Sequence, residues 1–263
     1  MINFTRKPRY GYEDLLEIIR LLRSPEGCPW DSVQTHRSIR RGMLEDAYEA
    51  AEAIDTGDTA LLKEELGDVL MQVVFHADIE KDAGHFTMDD VCDGVVKKLL
   101  FRHPHVFGDG QAETAERVGV SWEQLKRQEK GQKTAADTLD SVARSLPGTW
   151  RAEKLQKKAA DVGFDWRSVD GALDKLDEEV RELHRAVETN GNVPEELGDV
   201  LFAAVKVGRF CGVDPEEALH GTCEKFIRRF RAMEEAAARE GRELTELTLE
   251  ELTALWNGAK ERS

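Results

Sequence analysis

Apolar positions along this 263-residue chain recur at helical spacing almost throughout. Leu15, Ile18, Ile19 and Leu22 line one face of residues 12–23, which predicts an amphipathic helix ended by Ser24-Pro25-Glu26-Gly27-Cys28-Pro29. Met43, Ala47, Ala50 and Ile54 predict a second helix over 38–54, and a third is expected over 59–82, before Gly84. Thr87 is placed to cap a fourth, with Val91, Val95 and Leu99 on one face, that stops at His103-Pro104. Residues 108–147 are Gly- and charge-rich and read as a connector with one amphipathic helix from Trp122 to Lys133. Beyond Pro147-Gly148 the pattern resumes, with Leu173, Leu176, Val180, Leu183 and Val187 on one helical face. An apolar helix from Pro194 to Cys211, a long one from Pro215 to Arg239 and a short one from Thr248 complete the chain. No segment alternates with period two, so the expected fold class is all-α, with helical-bundle modules at 1–107 and 148–263 joined by the connector 108–147.

The two modules are copies of one unit. Residues 64–70 and 195–201 are the same seven, Glu-Glu-Leu-Gly-Asp-Val-Leu, and Glu45-Asp46-Ala47-Tyr48-Glu49 matches Glu178-Glu179-Val180-Arg181-Glu182. The offset falls smoothly, from 136 at Trp30/Trp166 through 133 at Glu49/Glu182 and 131 at Glu65/Glu196 to 127 at Arg102/Arg229. A duplicated unit with slightly shorter loops in its second copy gives such a drift.

Each copy holds two acidic pairs at i, i+3 spacing, which stacks both side chains on one helix face. They are Glu179/Glu182 and Glu196/Asp199 in the second module and Asp46/Glu49 and Glu65/Asp68 in the first. Asn190-Gly191-Asn192 and Pro194 between the second-module pairs read as a turn that sends one helix back along the other, bringing four carboxylates together. Val200 to Val205 is apolar without interruption, so the helix carrying Glu196 and Asp199 is expected to be buried nearly all round. Converging carboxylates with no His or Cys among them suit a hard, oxygen-seeking cation, Mg²⁺ with Mn²⁺ as a substitute, of the kind shared with substrate phosphates. Two such ions about 3.5–4 Å apart are a known way to split a phosphoanhydride.

Basic residues recur behind both acidic sets: Lys225 and Arg229 in the second module, Lys98 and Arg102 in the first. A planar guanidinium with a point-charge ammonium suits phosphate oxygens. Trp30 and Trp166 are candidates for the wall of a base pocket. Gly67 and Gly198 sit inside helices at a cost of about 1 kcal/mol each, which predicts a close approach there by a neighbouring helix or a ligand, the helix being the simpler cause.

Charge and composition narrow the partners. A net charge of −15 argues against nucleic acid and anionic membrane. No apolar run is long enough to span a bilayer and the N-terminus lacks a signal core, so a cytoplasmic protein is expected. Cys28, Cys92, Cys211 and Cys223 are scattered, as reduced thiols would be.

Taken together, Gly27-Cys28-Pro29-Trp30-Asp31, the paired acidic motifs, Arg102-His103-Pro104-His105-Val106-Phe107 and Gly163-Phe164-Asp165-Trp166 resemble the MazG family of nucleoside triphosphate pyrophosphohydrolases. The resemblance covers the whole chain in register. It implies the all-α NTP pyrophosphatase fold, a homodimer of broad base preference, and Mg²⁺-dependent cleavage of NTPs to NMP and pyrophosphate that clears unwanted nucleotides. It also implies metal ligation by Glu179, Glu182, Glu196 and Asp199. Asp46 is one methylene shorter than the family's residue, and Cys223 stands where relatives often have Asn, so the second module is expected to be the more active. Glu178 or Glu195 is the expected proton acceptor. Two other readings compete: a helical scaffold for a protein partner, and a di-iron carboxylate bundle, for which only Glu217/His220 has the Glu-x-x-His spacing.

Overall fold

In the computed structural model, residues 4–108 and 134–260 are described, with 125, 129 and 131 between them. The chain divides into two compact units, Met1–Lys126 and Arg127–Ser263. All regular structure among the described residues is helical.

The first unit holds α1 (Tyr12–Arg23), α2 (His36–Thr56), α3 (Thr59–Asp82), α4 (Met88–Arg102) and the single turn α5 (Pro104–Phe107). α2 starts two residues before the apolar pattern suggests, because Thr35 caps it: its side chain accepts from the Ser38 N–H while the Ser38 hydroxyl accepts from the Thr35 N–H. Gly57 ends α2 in the left-handed region at φ 68°, and Asp58 caps α3 by accepting from the N–H groups of Ala60 and Leu61. That two-residue turn makes α2 and α3 an antiparallel hairpin, the principal helix pair of the unit. Ile19, Ile39, Val74 and Phe75 form its buried core, with Leu15, Leu22 and Met71 packed around them.

The second unit holds α6 (Ala135–Asp140), α7 (Gly148–Ala160), α8 (Val169–Thr189), α9 (Val193–Phe210), α10 (Pro215–Arg239) and α11 (Leu249–Lys260). Here the hairpin is α8–α9. Asn190 supplies the left-handed residue at φ 51°, the Gly191 N–H returns to the Ala186 carbonyl at 2.8 Å, and the Asn192 side chain caps α9. α7 is tied to α9 by the fully buried Gln156, whose amide donates to the Phe202 carbonyl at 2.8 Å. The short α6, which the sequence pattern did not predict, is capped by Thr134. The connector helix expected from Trp122 to Lys133 lies outside the described residues.

Two expectations are corrected. α9 is not buried all round: Ala203 and Val205 are enclosed, whereas Leu201 and Phe202 are 58% and 43% exposed. The helix packs against α8 and α7 and touches α10, and it leaves Leu197, Leu201 and Phe202 uncovered by its own unit. Nor do Gly67 and Gly198 meet a neighbouring helix, since a Cβ at either would have no atom within 4 Å. The four cysteines are free thiols.

Candidate metal centre

Glu179 and Glu182 lie one turn apart on α8, and Glu196 and Asp199 one turn apart on α9. Because the hairpin turn is close to both pairs, antiparallel packing brings the pairs face to face. Ligand oxygens of Glu179, Glu182 and Glu196 lie within 4.8 Å of one another. Glu179 is only 7% exposed, Glu182 and Glu196 are half-buried, and Asp199 is on the open side. Asp199 nevertheless joins Glu179 in lining a cavity of about 150 Å³ with Trp166, Lys175, Phe202 and Lys206.

The electrostatics follow from this crowding. Burial first, then the charges of Glu182, Asp199, Glu179 and Glu195, push the Glu196 carboxyl above its ordinary range. In the first module Glu65 is pushed the same way by burial, then by Glu49, Asp68, Glu64 and Asp46. Under the repeat these are the same four partners, led in both modules by the corresponding pair Glu182/Asp199 and Glu49/Asp68, so two separate stretches of chain build one electrostatic pattern. Among the described residues, however, only the second module brings three carboxylates into ligating range of each other. In the first, Asp46 accepts from the Gln72 amide at 2.9 Å.

The remaining expected site residues are distributed as follows. Glu178 and Glu195 flank the cluster without joining it: Glu178 pairs with Lys175 at 2.8 Å, and Glu195 accepts from the side chain of Asn192. Lys225 and Arg229 are half-buried and one turn apart on α10. Phe226 between them packs on Trp256 of α11, with ring centroids 5.0 Å apart. Their first-module counterparts differ, for Lys98 is exposed whereas Arg102 is buried in the last turn of α4. Trp166 walls the cavity and donates its indole N–H to the Gly171 carbonyl, while Trp30 is 65% exposed.

Three contacts at or near the acidic clusters escaped the sequence reading. Lys175 Nζ lies 2.7 Å from Glu179 as well as contacting Glu178, and those two carboxylates, Glu178 first, hold the ammonium's pKa above its ordinary value. The Glu178 carboxyl is correspondingly lowered. Asp165 accepts from Lys206 and Arg209 of α9, with Lys206 also over the Trp166 ring at 5.6 Å. Burial pulls Asp165 upward, but these two cations and the Trp166 N–H keep it below the usual carboxylate range. Gln72 on Asp46 is the third. Only Lys175 left a signal in the sequence, as a cation four residues before Glu179.

Hard carboxylate oxygens converging from two helices, one of them buried, fit a divalent cation of the magnesium class by the chemistry of the donors.

Comparison with known proteins agrees with the fold. The family described as "MazG nucleotide pyrophosphohydrolase domain" matches residues 34–107 and 167–233. "Nucleoside triphosphate pyrophosphohydrolase/pyrophosphatase MazG" of Thermotoga maritima is 43% identical over 95% of both chains. "Nucleoside triphosphate pyrophosphohydrolase" of Escherichia coli K12 is 43% identical over 94% of this chain and 95% of that one. An uncharacterised Bacillus subtilis protein, YabN, is 49% identical over 96% of this chain but only 52% of its own. Both matched segments contain one acidic hairpin each, and the chain therefore belongs to the MazG nucleotide pyrophosphohydrolase family, with its module present twice in tandem.

Proposed function

We propose that this protein hydrolyses nucleoside triphosphates at the α–β phosphoanhydride, releasing NMP and pyrophosphate, with Mg²⁺ as its cofactor and Mn²⁺ as a substitute. The observation that carries the proposal is the meeting of Glu179, Glu182 and Glu196 within 4.8 Å, beside Asp199 in the same cavity wall. The names of the relatives from Thermotoga maritima and Escherichia coli support the same reaction.

Glu179, Glu182, Glu196 and Asp199 would hold the metal. When bound, Mg²⁺ supplies Lewis acidity toward phosphate oxygens and acidifies water. Lys225 and Arg229 neutralise the triphosphate as charge builds on the leaving pyrophosphate. Trp166, in the cavity wall, offers a flat face to the nucleoside. Glu178 or Glu195, the two acids that flank the cluster, would take the proton of the attacking water.

The intact Glu179/Glu182 pair makes the second module the principal site, with Asp46, Glu49, Glu65 and Asp68 forming a weaker one served by Lys98 and Arg102. Uncovered apolar residues such as Leu201, Phe202, Phe226 and Phe230 favour a homodimer, in which a second copy covers them. No described helix is long and apolar enough to cross a membrane. We further propose a cytoplasmic role in nucleotide-pool clearance, with broad base preference and no nucleic-acid partner.

The test is incubation with each of the eight common nucleotides and Mg²⁺, with and without EDTA. NMP plus pyrophosphate, abolished by EDTA, is expected, whereas NDP plus phosphate would overturn the reading.

A further inference from the structure

At one coupled pair of positions the two hairpins hold their upstream acid differently. Under the repeat, Lys175 of α8 corresponds to Gly42 of α2, and Ala203 of α9 corresponds to Gln72 of α3. In the second module Lys175 Nζ sits 2.7 Å from Glu179 and lines the cavity that Glu179 and Asp199 share. In the first, the Gln72 amide nitrogen reaches across the bare backbone of Gly42, only 3.0 Å from where a Cβ would stand, and donates to Asp46 at 2.9 Å. The second acid of each upstream motif is therefore held by a donor, a cation in one copy and a neutral amide in the other.

Glu179 is buried, and a buried carboxylate needs a compensating charge. Lys175 supplies it at hydrogen-bond distance, on the residue expected to ligate the metal. A divalent ion arriving at Glu179 therefore meets a positive charge already in place. Lys175 is 39% exposed at its side chain, so it has room to leave without crossing packed atoms.

We propose that Lys175 is an exchangeable counter-ion of the second-module cluster: its ammonium competes with the divalent cation for Glu179 and swings out to solvent when the ion binds. Gly42 and Gln72 leave the first module without this device. The inference rests on reading Glu179, Glu182, Glu196 and Asp199 as metal ligands.

A merely structural lysine and a competing one predict opposite results. If Lys175 only orders Glu179, its loss weakens metal binding; if it competes, its loss tightens binding. The experiment is Mn²⁺ titration of the full-length protein without nucleotide, followed by electron paramagnetic resonance and calorimetry, with Glu196→Gln identifying the second-module site. Lys175→Met and Lys175→Gln are expected to bind Mn²⁺ there about tenfold more tightly, and Lys175→Arg to match the wild type. Thermal melts confirm that each variant is folded. Unchanged or weaker Mn²⁺ binding in both neutral variants would overturn the exchange. No Mn²⁺ binding by the wild type would sink the metal reading itself, and this inference with it.

Discussion

Replacing Gly198 by alanine probes the open face beside the carboxylates. Gly198 lies inside α9 between Glu196 and Asp199, where a helix interior prefers Ala over Gly by about 0.9 kcal/mol. A Cβ there meets no atom within 4 Å, so no packing penalty opposes that gain. The unit concerned runs from Arg127 to Ser263, and at roughly 2.1 cal/mol/K per residue its unfolding entropy is about 0.29 kcal/mol/K. The expected result is a rise in Tm of about 3 °C for that unit, measured by calorimetry without nucleotide. Gly67→Ala should do the same in the first unit, for the same reason. A lower Tm in Gly198→Ala would refute the reasoning.

Three further outcomes are expected. Glu196→Gln should lower NTP hydrolysis by at least about 100-fold, and Glu65→Gln by much less; equal losses, or a larger one at Glu65, would overturn the ranking of the modules. Glu196 and Glu65 both have carboxyls raised above the ordinary 4.5, so the native state holds extra protons; stability without metal falls as pH climbs through the raised values and stays reduced above them. Mg²⁺ should accordingly raise Tm at pH 7–8 and lose that effect as pH falls through the raised carboxyl range, which melts with and without Mg²⁺ would check. Asp165→Asn strips the counter-ion from Lys206 and Arg209, whose side chains are each 14% exposed, and should cost about 2 kcal/mol in urea unfolding. A loss below about 0.5 kcal/mol would show that solvent already screens this pair.

The sequence by itself determined the long helices of both hairpins, the duplication and which carboxylates share a helix face. Helical periodicity and i, i+3 spacing are local, and the Asn190-Gly191-Asn192 turn left little choice about how α8 and α9 run. Cap chemistry accounts for the small errors in boundaries, as at Thr35, whose bond with Ser38 extends α2 beyond its apolar pattern. What only the tertiary structure decided is which face of a helix finds a partner. The run Val200 to Val205 looks buried by composition, yet burial depends on what packs alongside, and α8 with α7 covers only Ala203 and Val205 closely. Likewise a glycine's cost in a helix is readable from its identity, but the space around Gly198 is set by distant chain. The contacts that set charge in the two clusters, Lys175 on Glu179 and Gln72 on Asp46, depend on side-chain reach across folded helices. Ångström-scale distances of that kind are fixed by packing, which the order of residues constrains only through the fold as a whole.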